Sequence, residues 1–270
     1  MSLRSDAAAQ LARARAAQAD VALARKAIGL VDLTSLGGTE TADDISALCR
    51  RATAHGTAAI CIYPAHLRLA RGLLDGSPVR LATVVNFPDG SDDVLRTVEE
   101  TAAAVADGAD EVDVVAPLEA IREGDVGLVG DMIAACREAV GPDRVLKVIL
   151  ETGVLQDPVT ITAAARAAVM EGVNFLKTST GKAAVGATLE AAQLLLTVCA
   201  ESGGRVGFKA AGGIRTAADA AGYLLLAEEI VGRDWAKPAT FRFGASGLLD
   251  DLLRTAGLAG GASGTAAGGY

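Results

Sequence analysis

The sequence predicts a single closed (β/α)8 TIM barrel, and three observations carry that prediction. Eight short apolar runs rich in β-branched residues recur along the chain. Each is followed by a segment with helical periodicity, often closed by a glycine before the next run. The chain is 270 residues long, close to the roughly 250 that such barrels occupy. A doubly wound open sheet is the competing architecture, but the first βα turn has no GxGxxG spacing.

The elements fall in order. The opening stretch, "MSLRSDAAAQLARARAAQADVALARKA", is Ala- and Arg-rich and predicts an extra N-terminal helix. Its composition has something of a transit peptide, yet it carries Asp6 and Asp20 and no apolar region with a cleavage site. The first four strand runs are "IGLVDLT" (28–34), "AAICIY" (58–63), "VRLATVVN" (79–86) and "EVDVV" (111–115). The last four are "RVLKVILE" (144–151), "NFLKTS" (174–179), "RVGFKAAG" (205–212) and "TFRFGAS" (240–246). Segments such as Thr39 to His55 and "DDVLRTVEETAAAVADG" supply the helical crossovers that parallel pairing needs. No composition break interrupts Ile28 to Gly257, so residues 1–256 are assigned to one barrel with its N-terminal helix. Residues 257–270, Gly/Ala/Ser-rich, are expected to form a flexible tail.

Composition excludes several functions. The chain has 25 basic and 33 acidic residues, a net charge of −8. Non-specific nucleic-acid binding needs a basic surface, and aromatics at 3% give no base-stacking platform. No nucleic-acid partner is expected. No run approaches the ~20 apolar residues of a membrane span, so no membrane partner is expected either. Cys49, Cys61, Cys136 and Cys199 are widely spaced and form no CxxC. They suit reduced thiols in a cytoplasmic protein better than a disulfide framework. His55 and His66 form no HExxH pattern, so no metal site and no cofactor are expected.

The chemistry should lie at the C-terminal ends of the strands. Charged residues within or just after the strand runs are Asp32, Asp113, Lys147, Glu151, Lys177, Lys182, Lys209, Arg215 and Arg242. A single strand lysine could snorkel to solvent. Lys147, Lys177 and Lys209 on three successive strands change that balance, because helices cover such strands outside and side chains fill the interior. Grouped ammonium ions and partial burial both lower a lysine pKa. A neutral amine is the nucleophile of Schiff-base chemistry. Residue types alone do not choose among the three.

"AAGGIR" (210–215) and "FGASG" (243–247) follow strands seven and eight. Glycine turns there present backbone N–H groups at a recurrent phosphate seat of this architecture. The substrate should therefore carry a phosphate.

Taken together, "VDLTSL", "AAICIYPAHL", "ATVVNFPDG", "GADEVDVVAPL", "LKVILETGVL", "FLKTSTGK", "VGFKAAGGIRTAADA" and "FRFGASGLL" resemble the deoxyribose-phosphate aldolases. These are class I, Schiff-base-forming carbon–carbon lyases on a (β/α)8 fold. The resemblance runs in order from about Val31 to Leu249. It implies reversible cleavage of 2-deoxy-D-ribose 5-phosphate to acetaldehyde and D-glyceraldehyde 3-phosphate, in deoxyribonucleoside catabolism. It implies that Lys177 forms the imine, that Lys209 holds down the Lys177 pKa, and that Asp113 shuttles protons with Lys209. Gly181, Lys182, Gly212, Gly213, Arg215, Gly244 and Ser246 would hold the phosphate. Asp32, Cys61 and Lys147 would line the pocket, and the terminal Tyr270 would relay a proton. Partners implied are small phosphorylated sugars and aldehydes, with a homodimer as the assembly.

Two departures stand out. Some members carry a second hydroxyl residue after Ser246, where this chain has Gly247, and some carry proline where it has Ala210. The first would remove one side-chain phosphate contact. Two rival readings use the same seat. A sugar-phosphate isomerase would need a carboxylate base and no nucleophilic lysine. A sugar-phosphate binding protein would dispense with Lys177, Lys209 or Asp113, and all three are present.

Overall fold

Eight apolar runs, each too short to bury itself, close into one barrel in the computed structural model. All neighbouring strands are parallel, in the order β1 to β8, with β8 pairing back onto β1. The structure describes residues 3–258. The strands are β1 (Val31–Ser35), β2 (Ala59–Ile62), β3 (Arg80–Val85), β4 (Glu111–Val115), β5 (Val145–Ile149), β6 (Phe175–Lys177), β7 (Gly207–Ala211) and β8 (Phe241–Ala245). The predicted tail beyond residue 258, with Tyr270, lies outside the described residues.

The helices preceding β1 are α1 (Leu3–Ala16) and α2 (Val21–Ile28). One N-terminal helix was expected; two form. Asp20 breaks the run, because its carboxylate accepts the Leu23 N–H at 2.7 Å and caps α2. Crossover helices are α3 (Ala42–His55), α4 (Leu67–Leu73), α5 (Val94–Ala106), α6 (Leu118–Glu123) and α7 (Gly127–Val140). Beyond β5 follow α8 (Thr152–Leu155), α9 (Pro158–Met170), α10 (Leu189–Glu201), α11 (Ala217–Ile230) and α12 (Leu248–Thr255). The starts of α3 and α11 are written in sequence: Thr41 with Asp44, and Thr216 with Asp219, form capping boxes.

Only β4 keeps its expected bounds; the other strands are trimmed or shifted by one to three residues at their ends, and two of these changes have a plain local cause. β1 begins at Val31 rather than residue 28, because Ile28 still belongs to α2 and Gly29 caps it. β6 is three residues long, since Thr178 leaves the ladder and its hydroxyl bonds the Ala211 backbone, accepting from N–H at 3.0 Å.

The strand period of two sorts the side chains. Outward residues such as Val31, Leu33, Ile60, Val112, Val114, Leu146, Val148 and Leu176 join the apolar layer between barrel and helices. Each such fully buried aliphatic side chain contributes about 1.5–3 kcal/mol. Inward residues of β2 and β3 (Ala59, Cys61, Ala82 and Val84) form a separate small apolar cluster. Most of the large side chains in the rest of the interior are charged, with Phe175 among them. No described helix is long and apolar enough to cross a membrane.

Candidate active site

Seven charged side chains from six strands meet inside the barrel. They are Asp32 on β1, Glu111 and Asp113 on β4, Lys147 on β5, Lys177 on β6, Lys209 on β7 and Arg242 on β8, all buried. Register brings neighbours together: Asp113 pairs with Lys147, and Lys177 with Lys209, which pairs with Arg242, while Lys147 pairs with Phe175, two residues before Lys177. Gly244 makes room for them, since a Cβ there would stand 3.0 Å from the Lys209 Cε.

Asp113 is the hub. Its Oδ1 accepts from Lys147 at 2.6 Å, and its Oδ2 accepts from both Lys177 and Lys209 at 2.8 Å. Lys209 also donates to Asp32 at 2.5 Å. Burial alone would raise the Asp113 pKa, but Lys147, Lys177 and Lys209 outweigh it and hold the carboxyl well below its ordinary range. Asp32 is held down in the same way by Lys209, Arg242 and Lys147 against burial.

The three lysines separate by partner count. Burial pulls Lys209 down, but Asp113 and Asp32 together raise it above an ordinary lysine. Lys147 is likewise raised, by Asp113 and Glu111 against burial. Lys177 has one carboxylate only, on an oxygen that Lys209 already occupies. Burial therefore wins for Lys177, Lys209 adds to it, and its pKa falls below the ordinary value despite Asp113. Of the three amines, this is the one that loses its proton first. It is also the one that reaches the cavity.

That cavity holds about 680 Å³ at the C-terminal ends of the strands. Lys177 is on its floor. It is also lined by Gly181, Lys182, Gly212, Gly213, Arg215, Gly244 and Ser246, all seven residues expected at a phosphate seat. Gly212 and Gly213 have φ of 84° and 83°, left-handed backbone that glycine adopts without strain. Ser246 and Gly247 stand at the N-terminus of α12, where unsatisfied N–H groups favour an anion. The Lys182 ammonium donates to the Leu36 carbonyl at the rim. The Arg215 guanidinium is exposed and forms no ion pair among the described residues.

Three expected lining residues sit elsewhere. Asp32, Cys61 and Lys147 are fully buried beneath Lys177 and off the cavity wall. They face inward on their strands and are closed off from solvent. Burial also raises the Cys61 thiol above its ordinary pKa, so it stays a neutral packing group. Glu151 lies apart from the cluster, accepting the Thr180 N–H at 3.2 Å.

Residues missed from sequence are Glu111, which bonds Lys147 and Arg242, and Glu40, whose carboxylate accepts from Ser35 at 2.9 Å and Gly38 at 2.8 Å. The alternation in "EVDVV" could have placed Glu111 beside Asp113. No pattern marks Glu40, which lies in a loop.

Residues 26–261 match the family described as DeoC/LacD family aldolase. Among solved structures, one from Coccidioides immitis, provisionally named a deoxyribose-phosphate aldolase, is 28% identical with a TM-score of 0.77. That match covers 93% of this chain and 97% of the other. A Toxoplasma gondii protein, also provisionally so named, is 26% identical over 88% of this chain and 96% of that one, at a TM-score of 0.79. A deoxyribose phosphate aldolase from Aeropyrum pernix, described as tetrameric, is 25% identical over 93% and 97%, at 0.70. The chain belongs to the DeoC/LacD aldolase family.

Proposed function

We propose that this member of the DeoC/LacD aldolase family reversibly cleaves 2-deoxy-D-ribose 5-phosphate to acetaldehyde and D-glyceraldehyde 3-phosphate, through an imine on Lys177. One observation carries the reading. Among the described residues, the one lysine whose pKa is pushed below its ordinary value lines the same cavity as the Gly212–Gly213 turn, Lys182 and Arg215. A phosphorylated aldehyde fits that polarity, with carbonyl toward Lys177 and phosphate toward Gly212, Gly213 and Arg215.

The chemistry then follows from the groups present. Neutral Lys177 adds to the aldehyde carbon, and loss of water gives the iminium. A base takes the proton of the C3 hydroxyl, the C2–C3 bond breaks, and its electron pair enters the iminium to give an enamine. D-glyceraldehyde 3-phosphate leaves. Protonation of the enamine carbon and hydrolysis release acetaldehyde and restore Lys177. Asp113, which accepts from both Lys177 and Lys209, and Lys209 beside it are suited to hold and pass these protons.

Incubation with 2-deoxy-D-ribose 5-phosphate should release acetaldehyde and D-glyceraldehyde 3-phosphate in equal amounts. Borohydride should inactivate the protein only while substrate or acetaldehyde is present. No acetaldehyde, or a turnover indifferent to borohydride, would overturn the assignment.

A further inference from the structure

Beneath the cavity the buried charges close on themselves. Arg242 donates to Asp32 at 2.6 Å, Asp32 accepts from Lys209 at 2.5 Å, and Lys209 donates to Asp113 at 2.8 Å. Asp113 meets Lys147 at 2.6 Å, Lys147 meets Glu111 at 2.6 Å, and Glu111 returns to Arg242 at 2.9 Å. The result is a six-membered ring of alternating sign, three cations and three carboxylates, with zero formal charge. Every carboxylate oxygen in it has a cationic partner. Lys177 hangs from one corner, Asp113, as the surplus cation.

No ring member lines the cavity and only Asp113 bonds Lys177; Glu111 and Arg242 reach Asp113 only through other members of the ring. Arg242 is held in place by the Pro238 carbonyl and by the Phe175 ring, 5.6 Å from the guanidinium carbon. Such a pair could be read as internal packing alone. Yet burying two ions costs more than their attraction returns unless the geometry is satisfied, and apolar residues would fill the same space. We infer that Glu111 and Arg242 are positioning residues, closing a charge-neutral ring that leaves Lys177 as the one buried amine free to act as nucleophile. This rests on the reading of Lys177 as the imine-forming group and explains what sets its reactivity.

The sign of each effect follows from charge. Lys177 faces Asp113 and Glu111 from β4, Lys147 from β5, Lys209 from β7, Arg242 from β8, Asp32 from β1 and the neutral Cys61 from β2. The cavity adds Lys182, Arg215 and Glu40 at its rim. Removing Arg242 leaves the ring at −1, which favours ammonium on Lys177. Removing Glu111 leaves it at +1, which disfavours ammonium.

The test measures Lys177 itself. The full chain is reductively methylated with formaldehyde and an amine–borane across pH, and each lysine is quantified by peptide mass mapping. Glu111→Gln should move the Lys177 midpoint to lower pH and Arg242→Gln to higher pH, each by about one unit. At a fixed pH below the midpoint, that is about a tenfold gain and a tenfold loss of labelling. The double variant E111Q/R242Q and the charge-keeping Arg242→Lys should return close to the parent midpoint. If R242Q fails to fold, the acid displacement in E111Q and the parental midpoint in R242K carry the inference. Midpoints that stay within about 0.3 unit, or that move in the same direction for both single variants, overturn it. Sugar-phosphate cleavage is assayed separately, so loss of the proposed activity and loss of the ring's influence are distinct results.

Discussion

Along β4, Val112 and Val114 face outward into the apolar layer, while Glu111 and Asp113, one residue away, face into the barrel among lysines and an arginine. Both faces are fully buried, yet they are held by opposite physics. The outer face gains from every apolar atom removed from water and tolerates no charge. The inner face carries charges that survive burial only because each has a partner of opposite sign at 2.5–2.9 Å. Burial therefore does not mark the site. Unequal pairing does: of the three buried lysines, Lys177 alone has a single carboxylate partner, through an oxygen it shares with Lys209.

The largest expected effect breaks the outer face. Val114→Asp places an unpaired carboxylate in the apolar layer, where its cost rivals the roughly 5–15 kcal/mol that hold a domain together. No folded protein should be recovered, as judged by circular dichroism and gel filtration. Lys177→Met should do the reverse, keeping the melting temperature near the parent while lowering turnover on the order of 10⁴-fold. Its removal leaves Asp113 with two cations and leaves no ion stranded.

Asp113→Asn strikes the hub. Turnover should fall about 10²-fold or more through lost proton transfer, while imine formation on Lys177 persists, because the carboxylate was raising the Lys177 pKa. Stability should also become less sensitive to acid. Asp113 has a folded pKa below its unfolded one, so its contribution is present above about pH 4 and is lost as pH falls through the folded value. The Asn variant has no such contribution to lose. Urea melts at pH 7 and pH 3 compare the two. The smallest effect is at the cavity wall, where Arg215→Ala should lower activity on the phosphorylated sugar about tenfold more than on free deoxyribose. Equal losses on both sugars would place Arg215 outside the phosphate seat.

Much of this was legible in the sequence for a physical reason. Strand period and glycine punctuation reflect local constraints, so the eight strands, and the strand positions of Lys147, Lys177 and Lys209, could be read directly. Asp32, Cys61 and Lys147 lie on the expected strands, but their full burial could not be read from sequence, because depth in a barrel depends on stagger between strands. Arg242 was visible as a charged strand residue, while its partners Asp32 and Glu111 lie 210 and 131 residues away. No local pattern specifies contacts of that range. The short β6 was missed because Thr178 bonds Ala211, again a contact across strands.

One amine in this buried network, Lys177, differs from its neighbours. Acetaldehyde and borohydride applied across pH 6 to 10, followed by peptide mapping, test it most directly. The adduct should appear on Lys177 alone, with a midpoint below the roughly 10.4 of an ordinary lysine, while Lys147, Lys182 and Lys209 in the same digest stay unmodified. An adduct on Lys209 or Lys147 with Lys177 untouched would contradict the account.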